Sequence, residues 1–457
     1  MGLTSYAAFV IYALGIIAIA STIFYKIEIG IYFFCFFLPL QNVLNYAIKY
    51  PLGKDLNDLV LMAMLIGWFI DRRRTGDKFF VQTPINKMII ILALWTYLQT
   101  WRGTEYVGLP APISISNPLF VSWKNYMFSP LIFLIVANNI KNKKQIRWLM
   151  LIMIFAIFAL DRNFYSVIKD LDRSHYDSTA LKVNVSSSAL GGNQLAVFLA
   201  QYSAVILSLF LLDHHKVRKV CYGVPLLLSY YCIMFLFSRS GYLAVLASAA
   251  TIGIIKDRKF LVGLFALLIL WNTVLPTAVQ ERIAMTKSDE GWDSTTQERL
   301  GMWEQAKAII SEQPLIGVGF DVTSQLAVQA EGFEGYTWHS FHNNYLQTVA
   351  EIGIIGLGII LFIYILAFRK GWQLYRIADD GFLKGLGLGM MACVPAILFG
   401  NIAGSYWQYY NIIGYFYVIL ALVVRGIKII QQEQERTGIV TKPEDFSELS
   451  LAIPQKY

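Results

Sequence analysis

The sequence predicts an all-α protein, a polytopic transmembrane helical bundle carrying one large, partly helical loop outside the membrane. Three observations predict it. Hydrophobic residues make up 56% of the 457 residues and mean hydropathy is +0.52, values that exclude an ordinary soluble domain. Apolar runs recur along almost the whole chain, most of them near the ~20 residues a helix needs to cross a bilayer. Within those runs apolar and polar residues do not alternate, as the strands of a closed barrel require.

The runs fall near 6–24, 28–46, 57–70, 85–101, 122–138, 148–165, 193–213, 219–237, 240–255, 259–279, 343–368, 384–402 and 408–425. By length they amount to about 12–13 spans. Basic clusters occupy every second gap: Arg72-Arg73-Arg74, Lys141 with Lys143 and Lys144, Lys216 with Arg218 and Lys219, Lys256 with Arg258 and Lys259, Arg369-Lys370, and Arg425 with Lys428. Roughly two thirds of the Lys and Arg residues fall on that side, which the positive-inside rule makes cytoplasmic. The net charge of +8 is therefore a topology signal and not a nucleic-acid footprint. The first run lacks a basic flank and a cleavage site and reads as an uncleaved span, with the N-terminus outside. The four cysteines, Cys35, Cys221, Cys232 and Cys393, lie in or beside apolar runs, without metal or disulfide spacing, and read as core filler.

Residues 1–428 thus form one integral membrane domain, and 429–457 a polar cytoplasmic tail. Two outer segments interrupt its short connections. One, about 161–192, carries Asp161, Arg162, Arg173 and His175. The other, about 280–341, has predicted structure of its own. There, Thr295-Thr296-Gln297-Glu298 reads as a capping box that puts Arg299 in a first helical turn. Leu300, Trp303 and Ile310, with Met302, Ala306 and Ile309 beside them, form an apolar stripe, expected to lie on the outer membrane face. Pro314 ends this helix, and Gly317 and Gly319 supply a turn.

Charged or titratable residues at outer span ends are the candidates for chemistry. His342 sits where the long loop enters an apolar helix, and a neutral imidazole there can take a proton from a hydroxyl. His339, three residues earlier, offers a second imidazole, but no third ligand at metal spacing accompanies the pair. Arg239 stands in the tight turn Ser238-Arg239-Ser240-Gly241, where its planar fork suits phosphate oxygens or its stem snorkels to water. Arg299 is an anion-binding candidate or a solvated loop charge, and Lys124, beside Trp123, a weaker binder or an interface anchor. Glu351 reads as a buried structural partner, and Gly353 and Gly356 as close helix packing.

The run His342-Asn343, nine residues, then Gly353-Ile354-Ile355-Gly356 resembles the signature of the O-antigen ligase and polymerase superfamily of bacterial envelope glycosyltransferases. Arg299-Leu300-Gly301-Met302-Trp303 through Pro314-Leu315-Ile316-Gly317-Val318-Gly319 resembles its preceding helix and turn, and Ser238-Arg239-Ser240-Gly241 its earlier arginine motif. The resemblance covers about residues 190–370 and implies a bundle of about twelve spans in the bacterial inner membrane, with its site facing the periplasm. It implies an inverting transfer of a glycan from undecaprenyl diphosphate to an acceptor hydroxyl on lipid A-core, another glycan or a protein, without metal, cofactor or nucleotide sugar. Arg239 and Arg299 would then clamp the diphosphate and His342 would act as base, while Lys124 stays a diphosphate-binding candidate on its place at a span end alone. Ligation is the first expectation, with repeat-unit polymerisation and protein O-glycosylation behind it. A bicarbonate-transport-associated protein is the competitor from another class, although broken spans with mid-membrane charges or repeated halves are not evident.

Overall fold

The computed structural model describes residues 2–169, 175, 190–285, 287–288, 291–292, 294–329 and 340–436. It is an all-α bundle whose helices coincide with the apolar runs. The first half holds α1 (Gly2–Phe24), α2 (Ile27–Phe37), α3 (Gln41–Leu44), α4 (Leu56–Thr75), α5 (Pro84–Tyr106), α6 (Pro118–Asn139) and α7 (Lys143–Ile168). After them come α8 (Gly192–Leu212), α9 (Lys216–Phe235), α10 (Arg239–Ile255), α11 (Lys259–Ile269), α12 (Trp271–Val274) and α13 (Thr277–Ala284). The two-residue strands β1 (Lys287–Ser288) and β2 (Gly291–Trp292) pair antiparallel, followed by α14 (Ser294–Glu312), α15 (Val322–Gln329), α16 (Asn344–Ile377), α17 (Gly381–Gly400) and α18 (Tyr410–Arg436).

Among the described residues, seven helices are long and apolar enough to cross a membrane unaided, and eight if one bent pair is counted as a span. The difference from thirteen runs has three causes. The run at 28–46 folds as α2 followed by a second helical piece, bent by 109°. The run at 259–279 breaks into α11, α12 and α13. Other runs are helical but shorter, such as α10, or carry charges, such as α4 with Asp58, Asp71 and Arg72 to Arg74. Such helices can still lie in the bundle because neighbours cover their polar groups.

The core is built on α8, α17 and α18, with α10 and α9 packed on α8, α16 on α17, and α6 along α18. The span of α18 is 94% buried, which makes it the inner element around which the rest is arranged. Its burial continues through Ile429 and Ile430 and its helix runs to Arg436, so the expected tail begins later than residue 429. What lies beyond Arg436 is outside the described residues. Similarly, α7 extends to Ile168, and Asp161 is a buried helix residue that accepts from Ser229 Oγ at 2.5 Å, not a loop residue. Cys35, Cys232 and Cys393 are buried as expected, but Cys221 is exposed, because it lies on the outer side of α9.

Candidate functional site

The ends of α5, α9 and α17 and the starts of α10, α16 and α18 meet at one end of the bundle, with α14 and α15 against them. At that end Asn343 caps α16, its Oδ1 accepting from the amides of Tyr345 at 3.0 Å and Leu346 at 3.1 Å. His342, just before the cap, has φ of +46°, a conformation uncommon for a side chain larger than glycine. The flanking residues hold it there. The Phe341 amide donates to Gln347 Oε1 at 3.0 Å, its carbonyl accepts from Trp303 Nε1 at 3.1 Å, and the His342 amide donates to Ser340 Oγ at 3.2 Å. The His342 side chain is exposed, yet packing around the ring lowers its pKa below the usual 6.5, the Arg299 charge lowers it further, and Glu298 opposes both. The imidazole is held toward its neutral, proton-accepting form.

Downstream, α16 is not continuous. Gly353 has φ +73° and ψ 177°, which breaks the helix and strips hydrogen bonds from both sides of the break. The segment after α14 restores them. The amides of Val318 and Gly319 donate to the Ala350 and Glu351 carbonyls, and those of Ile354 and Ile355 donate to Pro314 and Leu315. Trp95 Nε1 takes the Ile352 carbonyl at 3.0 Å. Here glycine is required: a Cβ at Gly353 would stand 2.1 Å from the Leu315 carbonyl oxygen, and one at Gly317 would stand 2.5 Å from Glu351. The expected helix-packing role of Gly353 is thus corrected to a break that accepts the Pro314–Gly319 segment as a backbone partner. Arg102 on α5 grips the same segment, donating to the Gly317 carbonyl at 3.0 Å and to Gln313 Oε1.

Glu351 is the buried partner the sequence suggests, 2% exposed. Its carboxylate accepts from Thr323 Oγ1 at 2.6 Å, from Gln347 Nε2 and from Gln408 Nε2 at 3.0 Å. Gln347 therefore links Glu351 to the Phe341 amide beside His342. Asp321, at φ +56°, lies next to this network and bonds to Ser122, and burial raises its carboxyl to about 6.

Arg299 approaches His342 from α14, and Arg239 stands at the start of α10. Helix α14 begins at Ser294, so Arg299 lies in its second turn and not its first, away from the unfavourable end of the helix dipole. The expected stripe faces protein, not lipid. Met302, Ala306 and Ile309 are buried against Val318, Phe341 and Ala350, while Leu300 is 40% exposed. That docking is what sets Arg299 within electrostatic reach of both His342 and Tyr406. Tyr406, in the turn between α17 and α18, bonds to Ser240, and burial raises its hydroxyl pKa against the opposing effects of that bond and of Arg299. Ser240 adjoins Arg239, the first residue of α10, whose cap Ser238 accepts from the Gly241 amide at 3.4 Å. Arg282 on α13 reaches the same corner, its Nε donating to the Phe237 carbonyl at 3.3 Å, where Phe237 has φ +49°.

Lys124 stands apart from this chain of contacts: Asp58 Oδ2 meets its ammonium at 2.7 Å, and the ring of Phe128 lies 5.2 Å away. His339 lies outside the described residues. Tyr406, Arg282 and the Glu351–Gln347 link were not singled out as site residues by sequence reasoning. Tyr406 falls in a short turn without a motif, and the link depends on contacts between segments far apart in the chain.

Residues 224–361 match a family model described as O-antigen ligase. A relative from Rickettsia bellii (strain RML369-C), named "Putative polysaccharide ligase", is 25% identical over 234 residues, covering 48% of this chain and 54% of the relative. The chain thus spans about half the length of that relative. Arg239, Arg299 and His342 all fall inside the matched family segment.

Proposed function

We propose that this membrane protein is a glycan ligase that moves an oligo- or polysaccharide from undecaprenyl diphosphate to an acceptor hydroxyl, from the periplasmic face of the bacterial inner membrane and with inversion at the anomeric carbon. One observation carries the reading: Arg299 acts on both His342 and the Tyr406–Ser240 corner next to Arg239, and of these residues Arg239, Ser240, Arg299 and His342 lie in the segment that matches the ligase family.

In this reading Arg239 and Arg299 neutralise the donor diphosphate. Negative charge grows on its bridging oxygen as the anomeric carbon–oxygen bond breaks, and fixed cations there favour the transition state over the ground state. His342, neutral at pH 7, takes the acceptor hydroxyl proton as the new glycosidic bond forms, and undecaprenyl diphosphate departs. Arg299 serves twice, because the charge that faces the donor also keeps the imidazole deprotonated. Lys124, met by Asp58, is not assigned to this clamp.

The test is transfer by the purified protein from a polyprenyl-diphosphate-linked glycan, with lipid A-core, a second donor glycan and a peptide hydroxyl as separate acceptors. Product on lipid A-core that disappears in His342→Ala supports the ligase. Product on the second donor alone assigns a repeat-unit polymerase, and product on the peptide a protein O-oligosaccharyltransferase. Bicarbonate uptake into proteoliposomes with no glycan product on any acceptor overturns the proposal.

A further inference from the structure

A second cationic site lies at the opposite end of the bundle from His342. Helix α6 connects the two ends: Ser122 near its start bonds to Asp321 beside the candidate site, and Asn138 lies about 24 Å further along at 1.5 Å per residue. The Asn138 carbonyl accepts from Arg72 Nη2, so the end of α4 is pinned to the end of α6. Arg72 is 5% exposed and also pairs with Asp77 at 3.2 Å and, more loosely, with Asp71. Arg425, on α18 where it packs along α6, is 9% exposed. Among the described residues its Nε is buried without a hydrogen-bond partner, and the charge that acts on it is that of Arg72, a second cation. One turn beyond, Lys428 is within electrostatic reach of Lys370 on α16, and so is Arg369.

A guanidinium buried beside a like charge in a membrane-spanning helix is unfavourable unless an anion meets it, and one so little exposed is not snorkelling to water. Its fork is the geometry that phosphoryl oxygens fit bidentately. Basic pockets between spanning helices at headgroup depth hold phospholipid phosphates in this way. The geometry points to Arg425, with Arg72, as a binding site for a phosphate-bearing anion at the end of α4, α6 and α18 far from His342. An anionic lipid headgroup and free phosphate share this chemistry.

The protein purified in neutral detergent distinguishes the cases. Its melting temperature is measured with phosphatidylglycerol, with phosphatidylcholine or with sodium phosphate added, and native mass spectrometry counts the lipids retained. The wild type should rise by several degrees with phosphatidylglycerol and retain one tightly held copy, whereas Arg425→Gln should do neither. Without lipid, Arg425→Gln should be at least as stable as the wild type, because one of two buried like charges is gone. Arg425→Lys, which keeps the charge but not the fork, should respond weakly. A response to phosphatidylglycerol alone makes the ligand a lipid, and an equal response to sodium phosphate makes it the free anion. Either supports the site. Equal stabilisation of wild type and Arg425→Gln overturns it, as does a loss of stability in Arg425→Gln that lipid does not alter. It is also overturned if the wild type responds only after residues 437–457 are removed, since Glu444, Asp445 or Glu448 would then be the counter-ion.

Discussion

At His342 two neighbours of opposite sign act on one imidazole, and both sit on the same turn of α14. Arg299 lowers the His342 pKa and Glu298 raises it, on top of a lowering by the surrounding packing. A base works only when deprotonated, so transfer should be full near pH 7 and fall as pH drops through a pKa lying below 6.5. Replacing Glu298 with Gln removes the charge that holds the pKa up. The acid limb of kcat/KM against pH should therefore move to lower pH in Glu298→Gln, with the plateau little changed. A shift to higher pH would contradict the electrostatic arrangement around the ring. His342→Ala should lower kcat by about 10²–10⁴-fold, the usual worth of a positioned base, in a protein that still inserts and melts normally. Arg239→Lys and Arg299→Lys should each lower kcat/KM by roughly 10–100-fold, because an ammonium lacks the guanidinium fork. Wild-type rates in both lysine variants would leave charge alone, or neither arginine, as the requirement.

Among the elements, the break in α16 separates what the residues reveal from what they conceal. The helices were legible, because apolar runs of spanning length have few other folds. His342 and the two arginines stood out as candidates, since charges at span ends contrast with apolar surroundings, and the structure sets Arg299 within electrostatic reach of His342. Gly353 was not. A Gly-x-x-Gly pair reads as helix packing when only one helix is in view, and the Pro314–Gly319 segment that completes the broken backbone lies well upstream in the chain. The stripe on α14 was read correctly as apolar but assigned to lipid, because periodicity reports that a face is covered and not what covers it. Gly353→Ala tests the corrected role. The substitution forces a side chain into a left-handed conformation and against the Leu315 carbonyl, which should cost about 2–4 kcal/mol of stability. Because the same break anchors α14 through Val318 and Gly319, this variant should also lose transfer. A simple packing glycine would lose stability without that coupling, which assays of folded Gly353→Ala protein and its melting temperature would reveal together.

For the whole molecule, the decisive relation is that the two cationic regions occupy opposite ends of one bundle. Helix α6 measures the distance between them: Ser116 lies exposed just before it at the His342 end, and Lys144 exposed just after it at the Arg72–Arg425 end. At 22 residues the helix is about 33 Å long, enough to cross the hydrocarbon core. By the positive-inside rule, the basic clusters, Lys141, Lys143 and Lys144 among them, lead us to propose that the second end faces the cytoplasm. Single cysteines test this directly, introduced with the exposed Cys221 replaced by Ala so that labelling reports one site. In intact cells with a permeabilised outer membrane, a membrane-impermeant maleimide should modify Ser116→Cys and leave Lys144→Cys untouched until the inner membrane is opened. The reverse pattern would put His342, Arg299 and Arg239 in the cytosol. Donor glycans already flipped to the periplasm could not reach them there, and a periplasmic ligase would be excluded whatever the arrangement of the three side chains.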